Sequence, residues 1–247
     1  VRLMASVVLV NPPIFDKSAS LLVPPLGLAY IASTLKNYDI EVKIIDAPSL
    51  GLGLEKTLNK IASYNPEILG ITTTTPLADS AYLLAKKARR LVKWIIMGGA
   101  HPTALRKKIF QECPEIDFLF LGEAEENFPE FVLALMQKKQ ISSYPNGILT
   151  PDSSTEPVIV SDLNKLPLPS WDLLPMERYR HPLFPGKKLA TIISSRGCPY
   201  QCIFCDKSVS GSRWRARSAD NVLKEIEELY FQEKVQAIIS VSYTHLT

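Results

Sequence analysis

Short runs of consecutive apolar residues recur through the first half of the chain, and each is followed by a stretch with helical period. The apolar runs are continuous and do not alternate with polar residues, which is typical of parallel strands covered on both faces. The predicted strands are Ser6 to Val10, Glu41 to Ile45, Ile68 to Thr72, Trp94 to Met97 and Phe118 to Leu121. The predicted helices are Leu26 to Lys36, Leu54 to Ser63, Leu77 to Leu91, Thr103 to Gln111 and Glu125 to Lys139.

This order of elements predicts an α/β fold. Five successive strand–helix units form a doubly wound parallel sheet, flavodoxin-like or Rossmann-like in its winding. In such sheets, ligands bind at the carboxyl ends of the strands. Prolines, glycines and threonines cluster at those ends, at residues 11–13, 72–75, 98–102 and 122–123. We therefore expect a binding site at this edge of the sheet.

A connecting segment follows the first domain. Gly147 to Thr150 and Pro157 to Val160 are predicted to pair as a short hairpin, and seven prolines lie between Pro151 and Pro185. A proline-rich segment is extended and semi-rigid. Trp171 and Tyr179 in this segment are expected to pack between the domains.

The last part of the chain begins another strand–helix–strand unit. Leu189 to Ser194 and Val235 to Val241 are predicted strands, and the helix between them covers Ala219 to Glu233 with Ser218 as its N-cap. The chain is thus predicted to have three parts. They are a domain over residues 1–140, a connection over residues 141–187 and a second α/β unit over residues 188–247.

Composition excludes several classes of protein. The net charge of the 247 residues is only +3, and the basic residues are scattered, which disfavours nucleic-acid binding. No apolar stretch approaches the roughly 20 residues that a membrane-spanning helix needs. The N-terminal apolar run lacks a cleavage-site pattern, so we interpret it as a strand and not a signal peptide. Clustered thiols without a secretion signal then predict a cytoplasmic protein.

Three of the four cysteines lie close together: Cys198, Cys202 and Cys205 have the spacing C-x3-C-x2-C. Thiolates this close in sequence can converge on one metal centre, and sulfur ligands select zinc, copper(I) or iron–sulfur clusters. Structural zinc usually takes four ligands, and neither a fourth cysteine nor a histidine follows at finger spacing. Three thiolates on a four-iron cluster would leave one iron open to a substrate. A zinc knuckle and three unconnected thiols are the alternatives.

This spacing, with Phe204 before the last cysteine, resembles the radical S-adenosylmethionine (SAM) enzymes. The resemblance implies that the three cysteines bind a 4Fe-4S cluster whose open iron holds SAM. Reduction of the cluster, by an external flavodoxin- or ferredoxin-type protein, then cleaves SAM to a 5′-deoxyadenosyl radical. The resemblance also implies that Phe204 packs near the adenine. Gly197 is expected where the backbone comes close to another segment.

A second resemblance covers essentially the first 140 residues. The motifs at residues 24–30, 42–46, 70–72, 98–103 and 122–125, in this order and spacing, look like the cobalamin-binding domain that precedes many radical SAM barrels. This resemblance implies contacts to cobalamin from Pro25, Gly27, Thr72, Thr73, Thr74, Gly98, Gly99, His101, Gly122 and Glu123.

One difference from many cobalamin proteins concerns the ligand below cobalt. Those proteins carry the motif D-x-H-x-x-G after the first strand, whereas residues 11–23 of this chain contain no histidine. His101 follows the fourth strand instead. We therefore expect cobalamin to bind without a histidine ligand from that motif. The resemblance implies that this mode is common in radical SAM members and suits methyl transfer.

Several polar residues near these motifs have two interpretations. Glu123 and Glu125 either act at the cofactor or lie at a helix N-terminus, where the helix dipole favours acidic side chains. Arg215 and Arg217 either contact carboxylates of SAM or substrate, or form surface ion pairs. Cys113 stands apart from the motif and is predicted to be a small buried hydrophobe.

Together the two resemblances predict a cobalamin-dependent radical SAM enzyme. The expected reaction is methyl transfer to an unactivated carbon, or to a phosphinate, of a small molecule. The alternatives are radical oxidation or cyclisation, as in the anaerobic magnesium-protoporphyrin ester cyclases, and a cobalamin- or zinc-binding module without catalysis. Methylthiotransfer is disfavoured because only Cys113 is available for a second cluster.

The end of the chain departs from the family pattern. A radical SAM barrel has several βα units, and only the first and the beginning of the second are present. The tail from Ser240 to Thr247 lacks the acidic residue expected near the second strand. We therefore expect that the tail reflects either a truncation of the barrel or a non-native read-through, and that this chain alone does not catalyse turnover.

Overall fold

A computed structural model describes residues 6–14, 22–137 and 144–241. Within these ranges no helix is both long enough and apolar enough to cross a membrane. Of the predicted tail from Ser240 to Thr247, residues 242–247 lie outside the described residues.

The first half forms a six-stranded sheet in the order β2-β1-β3-β4-β5-β6. The strands are β1 (Val7–Asn11), β2 (Val42–Asp46), β3 (Ile68–Thr72), β4 (Trp94–Gly98), β5 (Phe118–Phe120) and β6 (Ile148–Leu149). The first five strands pair in parallel, and β6 adds an antiparallel edge beside β5. The predicted doubly wound, flavodoxin-like fold is confirmed, because the order 2-1-3-4-5 is the flavodoxin order.

Helices cover both faces of this sheet. They are α1 (Leu26–Lys36), α2 (Leu54–Tyr64), α3 (Ala78–Ala88), α4 (Ala100–Leu105), α5 (Lys108–Glu112) and α6 (Phe128–Met136). Alternate residues of β1 point to opposite faces: Val7 and Leu9 pack with α1 and α6, and Val8 and Val10 pack with α2, α3 and α5. Cys113 is fully buried in the second of these cores, as predicted.

Two predicted helices differ from the observed ones. The helix predicted over Thr103 to Gln111 is two short helices, because Arg106 adopts a positive φ of 51° and ends α4. The helix predicted from Glu125 begins instead at Phe128. The side chains of Glu123 and Glu125 precede it and are held by arginines of the last part of the chain.

The connecting segment does not form the predicted hairpin. Leu149 pairs with Leu119 in β5, whereas Val158 forms a bridge with Gly122 just beyond the end of β5. The two halves of the supposed hairpin therefore both extend the first sheet. Three short 3-10 turns follow, at Leu163–Lys165, Trp171–Leu173 and Met176–Arg178. Trp171 and Tyr179 are buried between the domains, as predicted.

The last part of the chain is a strand–helix–strand unit. The strands β7 (Leu189–Ile193) and β10 (Ala237–Val241) pair in parallel, and α7 (Ala219–Phe231) connects them. The Ser218 hydroxyl accepts a hydrogen bond from the Asn221 N–H, which confirms the predicted N-cap. Two further short strands, β8 (Ser195–Arg196) and β9 (Arg215–Ala216), pair in antiparallel between β7 and α7.

Candidate functional site

A cavity of about 300 Å³ lies at the carboxyl ends of the strands of the first sheet. Its floor consists mainly of glycines, threonines and aliphatic side chains at the ends of β3 and β4 and after β5. The residues on this floor include Gly70, Ile71, Thr72, Thr73, Thr74, Gly98, Gly99, Ala100, Gly122 and Ala124. Gly27, Leu28 and Ile31 of α1 form a further wall. The site predicted at this edge is present as a cavity.

The backbone at Gly99 comes close to the loop after β3. Gly99 has a φ of 105°, a backbone conformation that residues with a side chain rarely adopt. A β-carbon at this position would lie 2.6 Å from the carbonyl oxygen of Thr73 and 3.1 Å from its nitrogen. The loop after β4 therefore contacts the loop after β3 backbone to backbone, and at Gly99 no side chain separates them.

Residues of the last part of the chain close the cavity. Asp206, Val209 and Ser210 line it, as does Arg196. The Asp206 carboxylate accepts hydrogen bonds from the N–H and hydroxyl of Ser208, each at 2.8 Å, which fixes the turn after Cys205. The segment that follows the three clustered cysteines thus forms one wall of a cavity whose floor belongs to the first sheet.

The structure brings together most of the residues for which the sequence suggests cofactor contact. Eight of them line the cavity: Gly27, Thr72, Thr73, Thr74, Gly98, Gly99, Gly122 and Glu123. Pro25 and His101 are not among the lining residues. Pro25 precedes α1, where its carbonyl oxygen accepts hydrogen bonds from the N–H groups of Leu28 and Ala29.

His101 is held by its neighbours in the first domain. Its ring nitrogens lie 2.8 Å from the Tyr82 hydroxyl and 3.2 Å from the Thr75 hydroxyl, and its side chain is buried. Burial lowers the pKa of His101, against the smaller opposing effect of Glu112. A neutral imidazole in this position links the loops after β3 and β4. Contact between His101 and a cofactor stays a prediction.

The cysteine loop, residues 197–214, has a defined frame. The Cys198 N–H donates to the Gly211 carbonyl at 3.3 Å, and the Gly211 N–H donates to the Lys207 carbonyl at 2.9 Å. Gly197 has a φ of 79°, and a β-carbon there would lie 2.1 Å from the Arg213 carbonyl oxygen. The expectation that Gly197 permits close backbone approach is confirmed.

The three thiols of this loop are accessible but not gathered. Cys202 is exposed, and Cys198 and Cys205 are half-buried. Among the described residues, no three histidine, cysteine or acidic side chains are grouped so that they could hold a metal ion. Three thiols fit an iron–sulfur cluster by number and chemistry. Their side chains must turn toward one another for a cluster to bind.

Phe204 and its neighbours project from the loop. Phe204 is 85% exposed, and Tyr200 and Ile203 are also largely exposed. Large apolar side chains at adjacent exposed positions favour contact with another surface or ligand. Packing of Phe204 against an adenine stays a prediction.

Two buried ion pairs join the cavity wall to the cysteine loop. The Arg215 guanidinium donates to both carboxylate oxygens of Glu123, at 2.8 and 2.9 Å. Arg196 donates to the Glu125 carboxylate at 2.7 Å and lies 3.7 Å from that of Glu123. All four side chains are buried. The surface ion pair considered for Arg215 is therefore wrong, because its partner and surroundings are interior.

Arg217 is also buried, close to α1 and α7. It donates to the Glu225 carboxylate, to the Ile193 carbonyl at 2.9 Å and to the Tyr30 hydroxyl at 3.2 Å. Burial raises the pKa of Glu225, and Arg217 opposes that effect. A surface role for Arg217 is likewise wrong. Sequence reasoning missed these pairings, because their partners are up to 187 residues away in the chain.

Comparison with known proteins identifies the first domain. The B12-binding domain family matches residues 14–132, which include α1, the floor of the cavity and most of α6. The chain carries a B12-binding domain. The resemblance to B12-binding radical SAM proteins stated from the sequence is confirmed.

Two curated relatives extend beyond the B12-binding domain. An uncharacterized methyltransferase of Pyrococcus horikoshii is 35% identical over 223 residues, which are 87% of this chain and 48% of that protein. The anaerobic magnesium-protoporphyrin IX monomethyl ester cyclase of Rubrivivax gelatinosus is 31% identical over 226 residues, which are 86% of this chain and 40% of that protein. The chain spans about half or less of the length of these relatives.

A solved structure has the same fold. The cobalamin-dependent S-adenosylmethionine radical enzyme OxsB, with aqua-cobalamin and S-adenosylmethionine bound, superposes with a TM-score of 0.80 at 20% sequence identity. The superposition covers 97% of this chain and 34% of that one. The likeness therefore extends across the B12-binding domain, the connecting segment and the unit that holds the cysteine loop.

The lining of the cavity in the B12-binding domain is mainly apolar. Its floor offers backbone that a ring can approach closely at Gly98, Gly99 and Gly122, and hydroxyls at Thr72 and Thr73. Within the part of the chain that the structure describes, no histidine is among the residues that line it. These residues would hold a corrinoid by close backbone contact and by hydrogen bonds to its polar edge.

Proposed function

We propose that the protein is a cobalamin-dependent radical SAM enzyme that transfers a methyl group to an unactivated carbon or a phosphinate of a small molecule. The observation that carries the proposal is the shared cavity. Its floor is the B12-binding domain, and its wall is the segment directly after Cys205. One ligand bound there would touch both the B12-binding domain and the neighbourhood of the three thiols.

The proposal divides the chain into the three parts expected from the sequence. Residues 1–140 hold cobalamin, residues 141–187 connect the two domains, and residues 188–247 begin the radical SAM barrel. The residues proposed for cobalamin are Pro25, Gly27, Thr72, Thr73, Thr74, Gly98, Gly99, His101, Gly122 and Glu123. Cys198, Cys202 and Cys205 are proposed as cluster ligands and Phe204 as the adenine contact.

When bound, a 4Fe-4S cluster with SAM would supply the radical chemistry that the side chains lack, and cobalamin would supply the chemistry of methyl transfer. The protein's own residues would position the bound groups and shield them from water. The floor of glycines allows close approach, the aliphatic wall excludes water, and the exposed loop gives an external flavodoxin- or ferredoxin-type donor access to the thiols. The buried imidazole of His101 is occupied by hydroxyls of the first domain.

The experiment is anaerobic reconstitution of the chain with iron, sulfide and hydroxocobalamin, followed by desalting. We expect near-stoichiometric corrinoid and about four irons per chain, the number in the proposed cluster. Single Cys198→Ala, Cys202→Ala and Cys205→Ala variants should lose iron and keep corrinoid. Cys113→Ala is the matched control. Cys113 is buried in the core that packs α2, α3 and α5 against the sheet, so this variant should keep both iron and corrinoid.

The outcome also separates the alternatives. One zinc per chain without iron would favour a zinc-binding module, and corrinoid without iron would favour a cobalamin-binding module. Absence of both from a folded chain would contradict the proposal. Formation of 5′-deoxyadenosine from SAM after reduction tests the radical step itself.

Radical oxidation or cyclisation without methyl transfer is the second candidate. It is favoured by the 31% identity to a magnesium-protoporphyrin IX monomethyl ester cyclase, which is close to the 35% identity to a methyltransferase. Product mass distinguishes the two candidates, because only methyl transfer adds a methyl group to the substrate.

A further inference from the structure

The cysteine loop is held at both of its ends by the loop that follows β5. Arg196 directly precedes the cysteine loop and Arg215 directly follows it. Arg196 is ion-paired with Glu125 at 2.7 Å, and Arg215 is paired with Glu123 through two hydrogen bonds. The glutamates follow a strand of the first sheet, whereas the arginines belong to the second α/β unit. The two ion pairs therefore cross between the domains.

The two arginines are also joined to each other. Arg196 and Arg215 are register partners in the antiparallel pair β8–β9, so the base of the cysteine loop is a short ladder. A carboxylate on each arginine of this ladder defines both its position and its rotation. One ion pair alone would leave the loop free to pivot about a single contact.

The carboxylates are themselves fixed to the cavity wall. Glu123 lines the cavity, its N–H donates to the Val158 carbonyl at 2.8 Å, and its carboxylate accepts from the Val160 N–H at 2.7 Å. Glu125 also lines the cavity. Tyr30 of α1 completes the arrangement, since the Arg196 guanidinium carbon lies 5.2 Å from the centre of its ring. The cavity wall and the base of the cysteine loop thus form one bonded unit.

A contact made by buried ion pairs requires accurate geometry. Burying carboxylates and guanidinium groups costs free energy, which is offset only when each charge is paired with good geometry. A bidentate pair between Arg215 and Glu123 fixes orientation as well as distance, because the planar fork meets both oxygens. An apolar contact of the same size would hold the domains together without defining an angle.

We propose that Glu123 and Glu125 are positioning residues that set where the cysteine loop lies relative to the cavity. This inference rests on the proposed function, in which the loop carries the cluster and the cavity carries cobalamin. The glutamates would then fix the separation and orientation of two cofactors that neither residue needs to ligate. Loss of either carboxylate should loosen the loop. Loss of Glu125, which is not among the proposed cobalamin contacts, should do so with both groups still bound.

The test uses Glu123→Gln and Glu125→Gln in the reconstituted protein. The matched control is Asp172→Asn, which removes the Lys36–Asp172 ion pair at 2.8 Å, an exposed pair that also joins α1 to the connecting segment. Iron and corrinoid per chain are measured first, and far-UV circular dichroism checks the fold. The readouts are amide hydrogen exchange over residues 197–214 and the magnetic interaction between cob(II)alamin and the reduced cluster.

We expect amide exchange in the cysteine loop to be about tenfold faster in each glutamine variant, since local opening becomes easier when a buried tie is lost. Exchange in β2 and in the Asp172→Asn control should match the wild type. The magnetic interaction should weaken or broaden in Glu125→Gln at unchanged cofactor content. Wild-type exchange and wild-type magnetic interaction in both variants would overturn the inference.

Two further outcomes are distinguishable. If the folded wild-type chain retains neither cofactor, the proposed function fails, and the inference fails with it. If a glutamine variant does not fold, Arg215→Lys replaces it, because lysine keeps the charge but cannot donate two bonds from a planar fork. Faster loop exchange in a folded Arg215→Lys protein would support the inference, and unchanged exchange would overturn it.

Discussion

The Tyr179 hydroxyl donates a hydrogen bond to the Asp46 carboxylate across 3.0 Å, and both side chains are buried. Asp46 ends β2, whereas Tyr179 belongs to the connecting segment 133 residues later. Asn11, at the end of β1, donates to the same carboxylate at 2.8 Å. The connecting segment is therefore tied to the β2 edge of the first sheet, and the Glu123–Arg215 pair ties the second unit beyond the end of β5.

Removal of the Tyr179 hydroxyl should destabilise the fold. Tyr179→Phe leaves the buried Asp46 carboxylate with one partner fewer, and an unmet buried polar group costs about 1–3 kcal/mol. Tyr38→Phe is the matched control, because the Tyr38 hydroxyl reaches Glu130 at 3.3 Å on the exposed surface. It should change the free energy of unfolding by less than about 0.5 kcal/mol. Urea denaturation measures both, and equal effects would contradict the assignment.

Asp46 should make stability depend on pH in a defined direction. Burial raises the pKa of Asp46 in the folded chain, against hydrogen bonds from Ser49, Asn11 and Tyr179 that lower it. The folded state therefore binds this proton more tightly than the unfolded state does. The resulting stabilisation is full below the ordinary aspartate pKa and is lost as pH rises through the raised pKa.

The comparison with Asp46→Asn isolates this group. The free energy of unfolding of the wild type minus that of Asp46→Asn should fall as pH rises from about 3.8, the ordinary pKa, through the raised value. Urea titrations at a series of pH values give the difference. A difference that grows with pH would show that the pKa is lowered in the folded chain.

Gly197→Ala should disturb the cysteine loop in two ways, through the strain of its positive φ and through a steric clash. The new β-carbon would lie 2.1 Å from the Arg213 carbonyl oxygen. Strain of about 1–3 kcal/mol should lower iron retention about tenfold or more after reconstitution. Gly186→Ala is the control, because Gly186 has a similar φ of 70° but no atom within 4 Å of its would-be β-carbon. Iron loss in both variants alike would assign the effect to the angle alone.

Thiol labelling should distinguish the clustered cysteines from Cys113. Burial raises the pKa of the Cys113 thiol to about 12, so little of the reactive thiolate forms near pH 8. We expect iodoacetamide to label Cys198, Cys202 and Cys205 in the folded protein without cofactors, with the exposed Cys202 first. All four should react in guanidinium chloride. Labelling of Cys113 in the folded protein would contradict its burial.

Bound cobalamin should lack a nitrogen ligand from the protein below cobalt. Among the described residues, no histidine lines the cavity, and both ring nitrogens of His101 are near hydroxyls of Tyr82 and Thr75. The electron paramagnetic resonance spectrum of cob(II)alamin in the protein should therefore show no nitrogen splitting from a protein side chain. His101→Ala should leave that spectrum unchanged. Nitrogen splitting that disappears in His101→Ala would make this histidine the ligand.

Local sequence patterns were sufficient for the strands and for the floor of the cavity. Continuous apolar runs predict the positions of β1 to β5, because both faces of these strands are buried. Glycines and threonines at strand ends predict the lining, since the carboxyl ends of parallel strands meet at one edge. The interruption at Arg106 was missed because its positive φ occurs in a residue type that gives no local signal for it.

Contacts between distant segments were beyond a local pattern. Nothing near Glu123 in the sequence indicates that its partner is Arg215, 92 residues later. The same applies to the bridge between Gly122 and Val158, which replaced the predicted hairpin. In both cases two interpretations satisfy local propensity, and tertiary packing decides between them. If the proposed cluster binds, the arrangement of the three thiols likewise depends on a group that the protein sequence does not contain.

The cavity wall at Asp206, Val209 and Ser210 has a consequence for biosynthesis. The ribosome synthesises the floor of the cavity long before this wall. Leu9, which also lines the cavity, precedes Ser210 by 201 positions, the difference between 210 and 9. A nascent chain that has emerged only as far as α6 therefore lacks this wall of the cavity. The cavity is therefore complete only after residue 210 has been added to the chain.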